Sequence, residues 1–295
     1  MKGRVHVDFR DEISRNKWKS VFLIATIVIV FAALGWVVAM VYDPSLFFII
    51  MSISIVISIL YTLFGYYNSD KIAVASVNAK PASRQVHRQF YSSVESLTVA
   101  SGLPMPRLYV MNSGEINAFA SGRDPKHAVV CVTTGALEKL DKYELEGVLA
   151  HEMSHIAGYD IRFTTLAAVL VGMVAIFSEI FLRSLWMSGD REEKSGAILI
   201  VIGVLLAILA PIAVQLVQLA ISRKREYAAD ASAVKFTRYP QGLIKALKKI
   251  RDDSSIVKVN PIKNKVVSSL LFVSPSELLS THPAISKRID ILERM

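Results

Sequence analysis

The sequence predicts a mainly α-helical fold with a small β-sheet, fused to helices that cross a membrane. Three observations predict it. Four long apolar runs interrupt the chain, over Val21–Tyr42, Ser45–Tyr67, Phe163–Trp186 and Gly196–Leu219. The polar stretches around them carry apolar residues at helical spacing. Short apolar runs at Arg107–Met111 and Ala128–Val132, with Ile116–Ala120 between them, read as strands.

Composition supports the first point. Of 295 residues, 53% are hydrophobic and only 20% charged, too apolar for an ordinary soluble domain of this length. The net charge of +9 comes from Lys and Arg spread over the flanks of the apolar runs and over helix faces. They are not gathered in one stripe with aromatics, so no nucleic-acid partner is expected. The one cysteine, Cys131, cannot form an internal disulfide and sits in an apolar strand-like run, which reads as a buried position.

Each of the first two runs has the ~20 residues needed to cross a ~30 Å hydrocarbon core. Trp18, Trp36, Tyr42, Tyr61, Tyr66 and Tyr67 lie near their ends, as an interfacial aromatic belt requires. The organisation expected is a cytosolic segment over 1–20, a transmembrane hairpin over 21–67, and one further domain over 68–295. Apolar helices at about 163–186 and 196–219 interrupt that domain. The third run contains Glu179 and Arg183 and is a poorer span. The basic N-terminus and the Asp43-Pro44 turn without Lys or Arg place residues 68–160 and the C-terminal tail on the cytosolic side. The lipid bilayer is therefore a partner.

Within the polar region, Ala82–Ala100 reads as an amphipathic helix, with Val86, Phe90, Val94, Leu97 and Thr98 near one face. Gly102, Pro104 and Pro106 end it. Asp141, with Glu144 three residues on, marks the capped start of a further helix. Leu145, Val148, Leu149 and Met153 then recur at core-facing spacing.

That helix carries His151-Glu152-Met153-Ser154-His155. Two histidines four apart lie on one helical face and can bind one metal ion. Zinc suits imidazole ligands and has no redox side-chemistry, so one Zn2+ per chain is expected, and Glu152 is placed to act as general base on a water there. A catalytic zinc needs a third protein ligand. No third histidine follows soon after. Glu226 and Asp230, again four apart, follow the fourth apolar run. Spacing alone leaves two readings open. Glu226 binds the metal while Asp230 accepts the N–H of a ligand histidine, or both are surface acids balancing Arg223, Lys224 and Arg225.

The combination of His151-Glu152-Met153-Ser154-His155 with Arg225-Glu226-Tyr227-Ala228-Ala229-Asp230 resembles the HtpX heat-shock membrane proteases, relatives of the CAAX prenyl proteases. Ile116-Asn117-Ala118-Phe119-Ala120 and Thr281-His282-Pro283 with Arg288-Ile289 resemble two further motifs of that family. The resemblance implies a zincin-like (gluzincin) catalytic domain, Glu226 as third zinc ligand and Asp230 as its support. It also implies that Asn117 and His282 stand near the substrate backbone or the developing oxyanion, Asn117 binding substrate and His282 assisting catalysis. Read as residues only, Asn117 is a turn residue, His282 a helix-start residue beside a proline, and Arg288 structural.

The function expected is membrane-bound zinc endopeptidase action on unfolded or membrane-protein polypeptides, a quality-control role implied by the resemblance, at the cell membrane with the site facing the cytoplasm. An edge strand near Ala118-Phe119 would take the extended peptide by strand addition. The rivals are a prenyl-protein-type protease, which needs more spans, and a non-catalytic zinc-binding membrane scaffold or chaperone, which has no use for Glu152. An intramembrane site conflicts with Lys139, Asp141, Lys142 and Glu144 just before the motif and Asp160 and Arg162 just after it.

Overall fold

A single helix, α6 (Lys142–Ala157), organises the part of the chain that combines helices with a sheet. It is buried along most of its length by α4 (Arg88–Ser101), α7 (Arg223–Thr237), α8 (Pro240–Ser254) and the sheet. The computed structural model describes residues 9–42, 44–167, 179, 203, 223–254 and 283–295. Most of the third and fourth apolar runs, and His282, lie outside the described residues.

The start of α6 is built as the sequence predicts. The Asp141 carboxylate accepts from the Tyr143 and Glu144 N–H groups at 2.8 and 2.9 Å, and the Glu144 carboxylate accepts from the Asp141 N–H at 2.8 Å. Such a reciprocal cap satisfies donors that the first helical turn leaves without partners. Glu144 also receives Lys249 Nζ at 2.6 Å, which ties α8 to the cap. Gly147 lets α8 approach closely, since a Cβ there would lie 2.6 Å from the Leu243 nitrogen and 2.8 Å from its Cα.

The sheet has the order β1-β2-β4-β3, with β1 (Lys80–Pro81), β2 (Arg107–Met111), β3 (Ala118–Ser121) and β4 (Val129–Thr133). It is mixed: β2 and β4 run parallel, while β1 and β3 pair antiparallel on either side of them. Strand β4 is buried at all five positions, which accounts for its unbroken apolar run. Cys131 lies within it, pairs with Phe119 and is fully buried. Edge strand β3 packs on α6.

The first amphipathic helix starts later than its periodicity predicts. α4 begins at Arg88, and Val86, expected on its buried face, is 75% exposed. Tertiary pairing wins here. Lys80 and Pro81 form β1, and the Ala82 N–H donates to the Leu108 carbonyl at 2.9 Å, so the chain is held extended where its pattern favours a helix. From Arg88 onward Phe90, Val94 and Leu97 fill the core as expected, and Gly102 ends the helix in the left-handed region at φ 71°.

Helices α1 (Phe9–Tyr42) and α2 (Phe47–Tyr67) form an antiparallel hairpin, joined through a 3₁₀ turn at Pro44–Leu46. Among the described residues, α2 is the one helix long and apolar enough to cross a membrane, and the apolar stretch Ser20–Ala33 within α1 is shorter. The burial pattern of α2 is inverted relative to a soluble helix. Its buried positions are Ser58, Thr62 and Gly65, while Phe48 and Phe64 are 81% and 63% exposed. Small and polar side chains at the helix contact, with large apolar ones outward, suit a hydrocarbon surrounding. Gly35 makes close approach possible, since a Cβ there would overlap the Ser54 side chain. The remaining helices are α3 (Ser69–Ser76), α5 (Thr134–Lys139) and α9 (Ile285–Leu292), the last packed on α7 and α8.

Candidate active site

His151 and His155 project from the last turns of α6, and Glu226 from the first turn of α7, a pair of helices in direct contact. His151 Nε2 and His155 Nε2 lie 3.1 Å apart. The Glu226 carboxylate straddles them, with Oε2 at 3.5 Å from His151 Nε2 and Oε1 at 3.6 Å from His155 Nε2. Counting one oxygen for Glu226, the three ligand atoms lie within 4.8 Å of one another. A tetrahedral cation with bonds of about 2.0–2.1 Å separates its ligands by about 3.3 Å, so the set is at the right scale.

The partners of the other ring nitrogens test the fit further. His151 Nδ1 lies 2.9 Å from Asp230 Oδ1, and His155 Nδ1 lies 3.0 Å from Asp160 Oδ2. A carboxylate at each Nδ1 places the proton there. Each Nε2 is then the ring atom left to bind a metal. The two Nε2 atoms, 3.1 Å apart, and the Glu226 carboxylate converge on one point, where a divalent cation would take the place of any proton held between them. The donor set fits a metal.

Both supporting carboxylates are held by arginines. Arg288 donates to Asp230 from Nε at 2.9 Å and from Nη2 at 2.7 Å, a two-pronged contact with both side chains 1% exposed. Arg288 Nη2 and His151 Nδ1 also approach to 3.3 Å because both converge on the same Asp230 oxygen. Arg225 Nη1 donates to Asp160 Oδ1 at 3.2 Å. Burial alone pushes the Asp230 pKa up, but the Arg288 charge and the contacts from His151 and Arg288 outweigh it and hold the carboxyl below its ordinary value.

Glu152 is buried beside the two histidines. Burial raises its pKa against the lowering effect of His151 and His155, and the Ala120 N–H of β3 donates to it. The same hydrogen bond ties the acid to the edge strand. Asn117 stands just before β3. Its side-chain oxygen accepts from the Ala118 N–H at 3.0 Å, and its carbonyl accepts from Thr133.

The structure brings His151, Glu152, His155, Glu226 and Asp230 together; for Glu226 and Asp230 the spacing alone left this open, and the family resemblance implied it. It adds Asp160, Arg225 and Arg288. The charge just after α6 was a sequence signal for Asp160, and the arginine beside Glu226 for Arg225. Neither signal tells a metal-site partner from a helix-flanking charge.

A mostly helical fold with a small mixed sheet, built around a His-Glu-x-x-His helix and a carboxylate from a neighbouring helix, defines a metallopeptidase. The peptidase family M48 matches residues 82–295, and the chain belongs to that family. The protease HtpX homolog of Dictyoglomus thermophilum is 39% identical over 292 residues, covering 97% of this chain and 95% of its own. That of Caldanaerobacter subterraneus is 41% identical over 244 residues, covering 80% and 82%. The resemblance drawn from the motifs thus extends over nearly the whole chain. Among solved structures, Ste24p of S. mikatae shares the fold with a TM-score of 0.50 at 20% identity, over 96% of this chain and 67% of its own.

Proposed function

We propose that the chain is a zinc endopeptidase of the cell membrane, with its site on the cytoplasmic face, acting on unfolded or membrane-protein polypeptides. The observation that carries this is the meeting of three ligand atoms from His151, His155 and Glu226 beside buried Glu152. Zinc held there supplies Lewis acidity, polarising a scissile carbonyl and acidifying a water molecule.

The chain's own groups do the rest. Asp230 and Asp160 hold the rings of His151 and His155 at Nδ1, so that each Nε2 would be left to hold a metal ion. Glu152 takes the proton of the attacking water and delivers it to the leaving amine nitrogen. Strand β3, at the sheet edge, lines up an extended peptide by backbone pairing, which gives loose side-chain selectivity and suits quality control of misfolded proteins. Asn117, at the start of that strand, and His282 are assigned to the substrate backbone and the developing oxyanion.

Two features support the membrane part. α2 turns large apolar side chains outward, and the basic N-terminus precedes a hairpin turn without Lys or Arg, which supports a cytoplasmic position for the catalytic residues.

The test is Glu152→Gln, purified under chelation to prevent self-cleavage and reloaded with zinc. Zinc content should match the unaltered protein, while cleavage of casein falls by about a hundredfold or more. Unchanged cleavage would remove the catalytic assignment and leave a zinc-binding scaffold.

A further inference from the structure

Asp160 and Arg225 stand at the two ends of the stretch that contains the third and fourth apolar runs. Each adjoins the metal site. Asp160 follows α6 after a turn in which Tyr159 adopts φ 58°, a left-handed conformation that a bulky residue rarely takes. That turn swings Asp160 back onto His155. Arg225 immediately precedes the ligand Glu226 on α7. The two side chains, 14% and 10% exposed, meet at 3.2 Å. The Arg225 guanidinium also lies over the ring of Phe163, 5.4 Å from its centroid, and Phe163 opens the third apolar run.

We propose that Asp160 and Arg225 form a clasp that closes the base of the apolar insertion and sets the spacing of His155 and Glu226. The inference rests on the metal-site reading above. Two of the three ligand groups, His151 and His155, precede residues 161–224 and the third, Glu226, follows them, so their meeting requires a long closure. One carboxylate oxygen holds the ring of the ligand before the insertion, and the other holds the residue beside the ligand after it. Arginine suits the second end because its planar head can donate to a carboxylate while stacking on an aromatic ring. Asp160 and Arg225 are positioning residues, acting through His155 and Glu226.

The experiment measures zinc affinity by chelator competition on the full chain in detergent, together with the melting temperature of the zinc-free protein. Asp160→Ala and Arg225→Gln should each weaken zinc binding about 10- to 100-fold, the range for residues that support metal ligands. The double variant should be about as weak as Asp160→Ala alone, because both act along one path. Arg225→Lys, which keeps the charge, should recover part of the loss. A lowered melting temperature with zinc affinity within about twofold of the unaltered protein for both Asp160→Ala and Arg225→Gln means a purely structural pair and overturns the clasp. Glu226→Gln serves as reference. If it too leaves zinc affinity unchanged, the metal-site reading itself fails; if it alone weakens binding, only the clasp does.

Discussion

Arg288 and Asp230 meet through two hydrogen bonds, at 2.9 and 2.7 Å, deep between α9 and α7. The last helix of the chain is thereby wired to the ring of His151. Replacing Arg288 with Met keeps much of its bulk and leaves the Asp230 carboxylate buried without its cation. Such a loss costs about 3–5 kcal/mol. Urea titration of the zinc-free protein should show a loss of that order. A loss under about 1 kcal/mol would mean that solvent reaches Asp230.

The pH dependence of metal uptake follows from His155. Without metal, burial lowers its pKa, but the hydrogen bond to Asp160 and the charges of Glu226, Asp160 and Glu152 prevail and lift it to about 9. An unfolded imidazole titrates near ~6.5. Protonated His155 therefore stabilises the metal-free fold fully below pH ~6.5, and that contribution is lost as pH rises through about 9. A cation must displace this proton. Calorimetry in buffers of different ionisation enthalpy should detect roughly one proton released per zinc near pH 7.5, with apparent affinity climbing toward pH 9. Binding without proton release contradicts the geometry around His155.

Gly147→Ala should be costly because the new methyl group meets backbone atoms of α8, at 2.6 and 2.8 Å, which cannot rotate away. Overpacking of this kind typically costs about 1–3 kcal/mol. The displaced α6 carries His151 one turn on, so zinc affinity should fall with stability. Gly114→Ala, where a methyl group meets nothing within 4 Å, is the control. Equal melting temperatures for the two variants would refute the close contact.

Cys131 offers a reporter of global unfolding. Burial pushes its thiol up to about 12 against a lowering backbone hydrogen bond from Met111. Maleimide at pH 8 should leave the native protein unlabelled and react once denaturant unfolds it. Fast native labelling would show that β4 opens locally.

Much of the site was legible because its parts are local. The Asp141–Glu144 cap, the pairing of His151 with His155 and the pairing of Glu226 with Asp230 each span one helical turn, where chemistry at three or four positions' separation fixes direction. The strand Arg107–Met111 was legible for the same reason, and the start of α4 was not, because β1 pairing is a long-range decision. Arg288 illustrates the limit. An arginine in an amphipathic tail helix looks structural, and only packing against α7 turns it onto Asp230.

Residue order alone pointed to the metal-binding turn of α6, a candidate general base beside it, the apolar runs and the candidate acids on α7. Those depend on spacing along one helix, which covalent geometry and hydrogen bonding within the helix enforce. The tertiary structure decided that Glu226 faces the two imidazoles, that Asp160 and Arg225 close the insertion between them, and that α9 brings in Arg288. Those contacts join segments scores of residues apart, and chain connectivity leaves their distance open until burial of the shared core settles it.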